Sequence, residues 1–153
     1  MGERLPFRED QFDFVLLVNV ICFVNSVPAL LHEARRVLKT GGRIVLAFID
    51  RESQLGHLYE ARKMNDHFYR DAHFYSVAEV TKHIQQAGFG VPRFYQTIFG
   101  IPVNMRAAEP VRDGYGECAF VVLCTEKITC KKGEEYGNES GQSGQHEGCS
   151  ACI

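Results

Sequence analysis

Two apolar runs bracket a helical pattern between Phe12 and Asp50. Phe12–Val18 and Ile44–Ile49 are rich in Val, Ile, Leu and Phe and lack polar alternation. Such runs read as parallel strands covered on both faces. Between them Leu30, Ala34, Val37 and Leu38 recur at three- and four-residue spacing, which puts them on one face of a helix. Ser26 suits the N-cap and Pro28 the first turn, where a missing N–H costs nothing. Arg35, Arg36 and Lys39 suit the negative end of the helix dipole, and Gly41-Gly42 is expected to stop the helix. Strand, helix and strand make a βαβ crossover, nearly always right-handed.

The flanking pattern extends this α/β reading. Glu3–Phe7 is extended, with Pro6 forcing that geometry on Leu5. Ile21–Val24 is apolar but lies past the first strand's end. Arg51–Tyr75 mixes polar and aromatic residues. Within it, Leu55, Leu58, Tyr59 and Arg62 suggest a helix, and Phe68-Tyr69 and Phe74-Tyr75 add bulky surface. Ser76-Val77-Ala78-Glu79 is a capping box, in which hydroxyl and carboxylate each bond the other's backbone N–H. Val77, Val80, His83, Ile84 and Ala87 follow at helical spacing, and Gly88 ends that helix. Phe94–Phe99 and Cys118–Thr125 read as strands joined by a long loop, Gly100–Gly116. Lys127–Ile153 has too few apolar residues to offset the entropy of ordering. The chain thus divides into a folded part, 1–126, and a flexible tail, 127–153.

Leu5-Pro6-Phe7, Phe12-Asp13 opening a strand, Glu33, Arg36-Val37-Leu38-Lys39 and Gly41-Gly42 stand at telling spacings. Together they resemble the C-terminal half of a class I S-adenosylmethionine-dependent methyltransferase of the type-11 group. The likeness runs to about Glu126. It implies a partial Rossmann-like sheet holding the family's strands four to seven, in order 4-5-7-6, with strand seven antiparallel. It places the family's glycine-rich cofactor loop and ribose-binding acidic residue upstream of Met1, so the chain reads as a fragment, inactive alone. Strand four is then an uncovered edge, open to self-association or to pairing with another chain.

Ligands of open α/β sheets bind beyond the carboxyl ends of the strands, where strand order reverses. By the resemblance, Gly2, Glu3 and Leu5 line the adenine of S-adenosylmethionine. Asn19 and Val20 approach its methionine part, and Phe23 walls off water. Asp50 and Arg51 face the substrate side, and Tyr69, His73 and Tyr75, with Phe74, roof a pocket for a small-molecule methyl acceptor. Methyl transfer needs alignment and exclusion of water more than acid–base groups, so the absence of a triad or paired carboxylates does not count against it. No residue is assigned as catalytic, and none identifies the acceptor.

Charge and cysteines add limits. Seventeen Lys and Arg against nineteen Asp and Glu give a net charge of −2, with no basic excess to steer nucleic acid. No apolar run approaches the ~20 residues of a membrane span, and the charged first residues lack a secretory core. The expectation is a cytoplasmic protein with reduced thiols. Cys22, Cys118 and Cys124 sit in apolar contexts and read as inert core thiols. His146, Cys149 and Cys152 have the donor types and spacing to clip a Zn²⁺, although a structural site wants four ligands. Two alternatives to the enzyme therefore stand: a non-catalytic methyltransferase-like module that pairs with another chain, and a thiol- or metal-binding protein acting through its tail.

Overall fold

The sheet runs β1-β2-β5-β3-β4 in a computed structural model that describes residues 2–100 and 105–128. Its strands are β1 Phe12–Val18, β2 Leu38–Ile49, β3 Arg93–Thr97, β4 Arg112–Asp113 and β5 Phe120–Glu126. The helices are α1 Val27–Val37, α2 Gln54–Arg62 and α3 Val77–Gln86. β1 pairs β2 in parallel, and β5 lies antiparallel between β2 and β3. The first four strands stand in the order expected from the resemblance. β4 is an addition: two residues of the long loop that pair with Tyr95 and Gln96.

Local chemistry sets the helix ends. The Ser26 hydroxyl accepts from the Ala29 N–H, and Pro28 sits in the first turn of α1. The box at α3 is complete, with Ser76 Oγ accepting from the Glu79 N–H and Glu79 Oε2 accepting from the Ser76 N–H. α1 and α3 then bury Leu30, Leu31, Ala34, Val80 and Ile84 against Ile44, Leu46, Val121 and Leu123 of the sheet. Each large aliphatic side chain so buried contributes about 1.5–3 kcal/mol.

Several expectations are corrected. Leu38 is not part of the helix's apolar face; it caps α1 with its N–H on the Ala34 carbonyl, takes extended geometry and opens β2, pairing with Phe12. Gly41-Gly42 is not a helix stop but lies within β2, where Gly41 at φ +74° makes an irregularity only a residue without Cβ takes easily. That irregularity is pinned by Lys127, whose N–H donates to the Gly42 carbonyl and whose carbonyl accepts from the Gly41 N–H. The Lys127 ammonium also reaches Asp10 and the Leu38 carbonyl, so ordered structure continues past Glu126. β3 ends at Thr97, ahead of Phe99, because Ile98 turns to φ +63°, a region β-branched residues avoid.

A further correction concerns β1, which is covered on one face only. Val15 and Leu17 pack toward α1 and α3, whereas Phe14, Leu16 and Val18 are 64%, 66% and 48% exposed. The pairing register puts Phe14 beside Arg43 and then Glu126, which form an ion pair, Leu16 beside Val45 and Cys124, and Val18 beside Ala47 and Val122. Leu16 and Val18 thus continue an apolar strip through Val45, Ala47, Cys124 and Val122, in which Ala47 is buried and beyond which Ile49 packs with Tyr59 of α2. Among those residues β1 also has a single neighbouring strand.

Candidate functional site

The site is built where β1 and β2 end. Asn19 follows β1 directly and takes φ +53°, a left-handed conformation that asparagine tolerates better than most residues. Its N–H still donates to the Ala47 carbonyl at 2.8 Å, so the ladder continues while the chain turns away from the sheet. A 3-10 turn, Ile21–Phe23, sends Ile21 and Cys22 into the interior and leaves Phe23 44% exposed. Val20, just before the turn, packs partly buried against the main core.

The segment after α2 folds back over this turn. The His73 N–H donates to the Cys22 carbonyl at 2.8 Å, and Asp66 Oδ1 accepts from the N–H groups of Phe68 and Tyr69. These bonds carry the aromatic side chains onto Phe23. The Phe23 ring is edge-on to Phe68 at 5.5 Å and stacked on Tyr69 at 6.2 Å. Tyr69 stacks on Tyr59 at 4.9 Å and meets Phe74 at 5.8 Å. His73 stands edge-on to Tyr75 at 4.5 Å. Asn19, Cys22, Phe48, Ile49, Tyr69, Phe74 and Tyr75 enclose a notch of about 10 Å³ beneath this wall. It has room for about one water molecule.

No side chain lining the notch is charged. Burial pushes the Cys22 thiol up to about 11 and raises the phenols of Tyr69 and Tyr75. These groups therefore stay protonated near neutral pH and can donate hydrogen bonds but not act as bases. Cys118, buried elsewhere, is raised for the same reason. Two basic side chains of the flanking segments are paired. The Arg51 guanidinium lies 3.0 Å from Glu79, and the Lys63 ammonium 2.7 Å from Glu60.

Asp50 and Arg51 are held by their own chain. Asp50 is buried, which raises its pKa, and its Oδ1 accepts from the Glu52 N–H at 3.1 Å. Its carbonyl takes the Ser53 hydroxyl, and Gly56 packs so close to that carbonyl that a Cβ there would collide with it. Arg51 joins the end of β2 to the start of α3 through Glu79.

The opening segment is fastened to α1. Gly2 lies against Leu30. Glu3 Oε1 accepts from the N–H groups of Asn25 and Ser26, ahead of the helix. The Leu5 N–H donates to Glu33 Oε2 at 2.9 Å, and its carbonyl accepts from Arg36. The Arg36 guanidinium, then the Leu5 N–H, hold the Glu33 carboxyl down at about 2.

Of the residues singled out from sequence, Asn19, Tyr69 and Tyr75 meet at one notch, with Phe23 and His73 beside it. Gly2, Glu3 and Leu5 form a separate strip along α1. Tyr59, Cys22 and Ile49 complete the wall and floor and were not legible as site residues; an apolar side chain after a strand looks the same whether it fills a core or lines a pocket. His146, Cys149 and Cys152 lie outside the described residues. Within those residues no three His, Cys, Asp or Glu side chains are grouped to hold a metal, and no helix is long and apolar enough to cross a membrane.

Comparison with known proteins locates this architecture. The methyltransferase domain family model matches residues 1–46. An uncharacterized protein of Methanocaldococcus jannaschii is 42% identical over 127 residues, which cover 83% of this chain and 62% of that protein. Among solved structures, a Thermotoga maritima S-adenosylmethionine-dependent methyltransferase, described as a possible histamine N-methyltransferase, is 43% identical with a TM-score of 0.81. The match covers 82% of this chain and 61% of that one. A Methanosarcina mazei S-adenosylmethionine-dependent methyltransferase superposes with a TM-score of 0.57 over 84% of this chain and 66% of its own, at 17% identity, a likeness of fold alone. The chain thus spans about three-fifths of the length of its first relatives.

Proposed function

Because the chain has the fold of a class I methyltransferase domain, matched by the family model over its first 46 residues, we propose that it supplies the adenine and acceptor sides of an S-adenosylmethionine-dependent methyltransferase. The observation that carries this reading is the meeting of Asn19, Tyr69 and Tyr75 at the carboxyl ends of β1 and β2, where open α/β sheets take their ligands. The donor set fits the cofactor on the side it presents. The notch offers an amide, two protonated phenols and aromatic faces, and its lining includes no cation to repel a sulfonium.

In this reading Gly2, Glu3 and Leu5 border the adenine, Asn19 and Val20 the methionine part, and Phe23 excludes water. When bound, the cofactor supplies an electrophilic methyl group. Tyr69, His73 and Tyr75 hold a small-molecule acceptor in line with it, and Asp50 and Arg51 fix the loop that positions them. Alignment and exclusion of water are the protein's main contribution to such a reaction. The description of the Thermotoga relative accords with a small-molecule acceptor. We place the reaction in the cytoplasm.

The uncovered edge and face of β1 belong to the same reading. We propose that they are covered by the part of the domain that the longer relatives carry beyond this match, which also brings the glycine-rich loop and the ribose carboxylate. A second reading, self-association through β1, is favoured by the exposure of Phe14, Leu16 and Val18 alone. Titration of S-adenosylmethionine into the chain, with and without the covering part, tests the proposal. Binding only in its presence supports it; no binding in a stable complex overturns it.

A further inference from the structure

Residues 2–7 contain no helix or strand, so no ladder fixes the backbone that borders the proposed adenine position. Two side chains of α1 hold it instead. We infer that Glu33 and Arg36 are positioning residues for the adenine of the cofactor: they keep residues 2–7 in the shape that receives the base, without touching it. This rests on the methyltransferase reading of the site and adds to it the pair that shapes its adenine side.

The contacts are made on the backbone. Glu33 Oε2 accepts from the Leu5 N–H at 2.9 Å. The Arg36 guanidinium donates to the Leu5 carbonyl at 3.3 Å and to the Phe7 carbonyl at 2.9 Å. Glu33 and Arg36 are three apart in α1, and so are neighbours on its surface. They join each other at 2.8 and 2.9 Å. One planar fork thus bridges two carbonyls and a carboxylate, which a lysine ammonium on its flexible stem does not reproduce. α1 itself is fixed by Leu30, Leu31 and Ala34, buried in the core. The clamp therefore stands on a rigid element. Glu3 Oε1 ties the near end of the segment to the Asn25 and Ser26 N–H groups.

The consequence falls on the base. Both backbone polar groups of Leu5 are occupied, so Leu5 meets a ring with its side chain rather than its backbone. A segment already ordered avoids the cost of ordering when the ligand binds. The Glu33 carboxyl, held at about 2, is ionised at neutral pH and keeps the clamp charged there.

S-adenosylhomocysteine and S-inosylhomocysteine separate positioning from stability, because they differ only at the edge of the base. Each is titrated calorimetrically into the chain completed by its covering part. The unaltered protein should prefer the adenosyl compound. Glu33→Ala and Arg36→Lys should each weaken that compound by about tenfold, the worth of one hydrogen bond, and shrink the preference. Glu33→Gln keeps an acceptor for the Leu5 N–H and should lose less. Ile84→Val trims the core on α3 and should leave the preference unchanged. In the 153-residue chain, hydrogen exchange at the Leu5 amide should be slow, and should quicken in Glu33→Ala but not in Ile84→Val. Arg36→Lys carries the binding test where Glu33→Ala does not fold. A preference unchanged in the clamp variants overturns this inference alone, as does fast exchange of the Leu5 amide in the unaltered chain. A completed protein that binds neither compound overturns the methyltransferase reading, and this inference with it.

Discussion

Leu16 pairs with Val45 across the parallel β1–β2 ladder, yet its side chain is 66% exposed. One position along, Leu17 pairs with Leu46, which is fully buried. Period-two alternation thus separates a filled face of β1 from an exposed one. Leu46→Ala should cost about 2–5 kcal/mol through the cavity it leaves, whereas Leu16→Glu should change stability by no more than about 0.5 kcal/mol. Denaturant melts of the chain distinguish the two. Leu16→Glu should also reduce self-association in sedimentation; a large loss of stability would show that the face is already covered.

The Glu33–Arg36 clamp on Leu5 gives a pH signature. The folded carboxyl titrates at about 2 and its ordinary value is 4.5. A depressed carboxylate stabilises the fold above the ordinary value, and that contribution is lost as pH falls through the folded one. Stability should therefore decline between about pH 4.5 and 2. Glu33→Gln should flatten this limb while lowering the plateau at neutral pH. An unchanged acid limb would show that the clamp does not hold in solution.

Cys22 gives a chemical signature. With its thiol at about 11 and its side chain buried, it should resist iodoacetamide at pH 8 in the folded chain and react once the chain is unfolded. Peptide mapping after a short pulse reads this site by site. Rapid labelling of Cys22 in the native chain would mean that the Phe23–Tyr69 wall does not stay closed over it.

Much of the fold was legible because its local signals agree. The run Phe12–Val18 is β1 to the residue, and the two serine caps are made as their spacing requires. Leu38 and Gly41-Gly42 misled because a glycine pair after an amphipathic stretch is the usual mark of a helix end. Here the same pair serves an irregular strand clasped by Lys127, 85 residues beyond Gly42, a contact that no local pattern contains. The empty face of β1 was hidden for a similar reason. An apolar run shows that both faces want cover, not whether a given stretch of chain provides it. At the site, Asn19 stood out as a polar residue at a strand end, while Cys22 and Tyr59 merge with the core.

Asn19 separates backbone from side chain. Asn19→Gly keeps the positive φ at no steric cost and should leave the fold at least as stable. In the chain completed by its covering part, Asn19→Gly and Asn19→Ala should each weaken S-adenosylmethionine by about tenfold, the worth of one hydrogen bond. Calorimetry checks both. Unchanged affinity in Asn19→Gly would remove the side chain from the cofactor site.

The account turns on the division of the cofactor site between this chain and the part of the domain that covers β1. Its most direct test is calorimetric titration of S-adenosylmethionine into the 153-residue chain, alone and then with the segment of the Thermotoga methyltransferase that has no counterpart here. The chain alone should bind weakly, because the ribose hydroxyls lose charge-assisted hydrogen bonds of roughly 1.5–3 kcal/mol each. The mixture should bind several powers of ten more tightly. Micromolar binding by the monomeric chain alone would contradict the account.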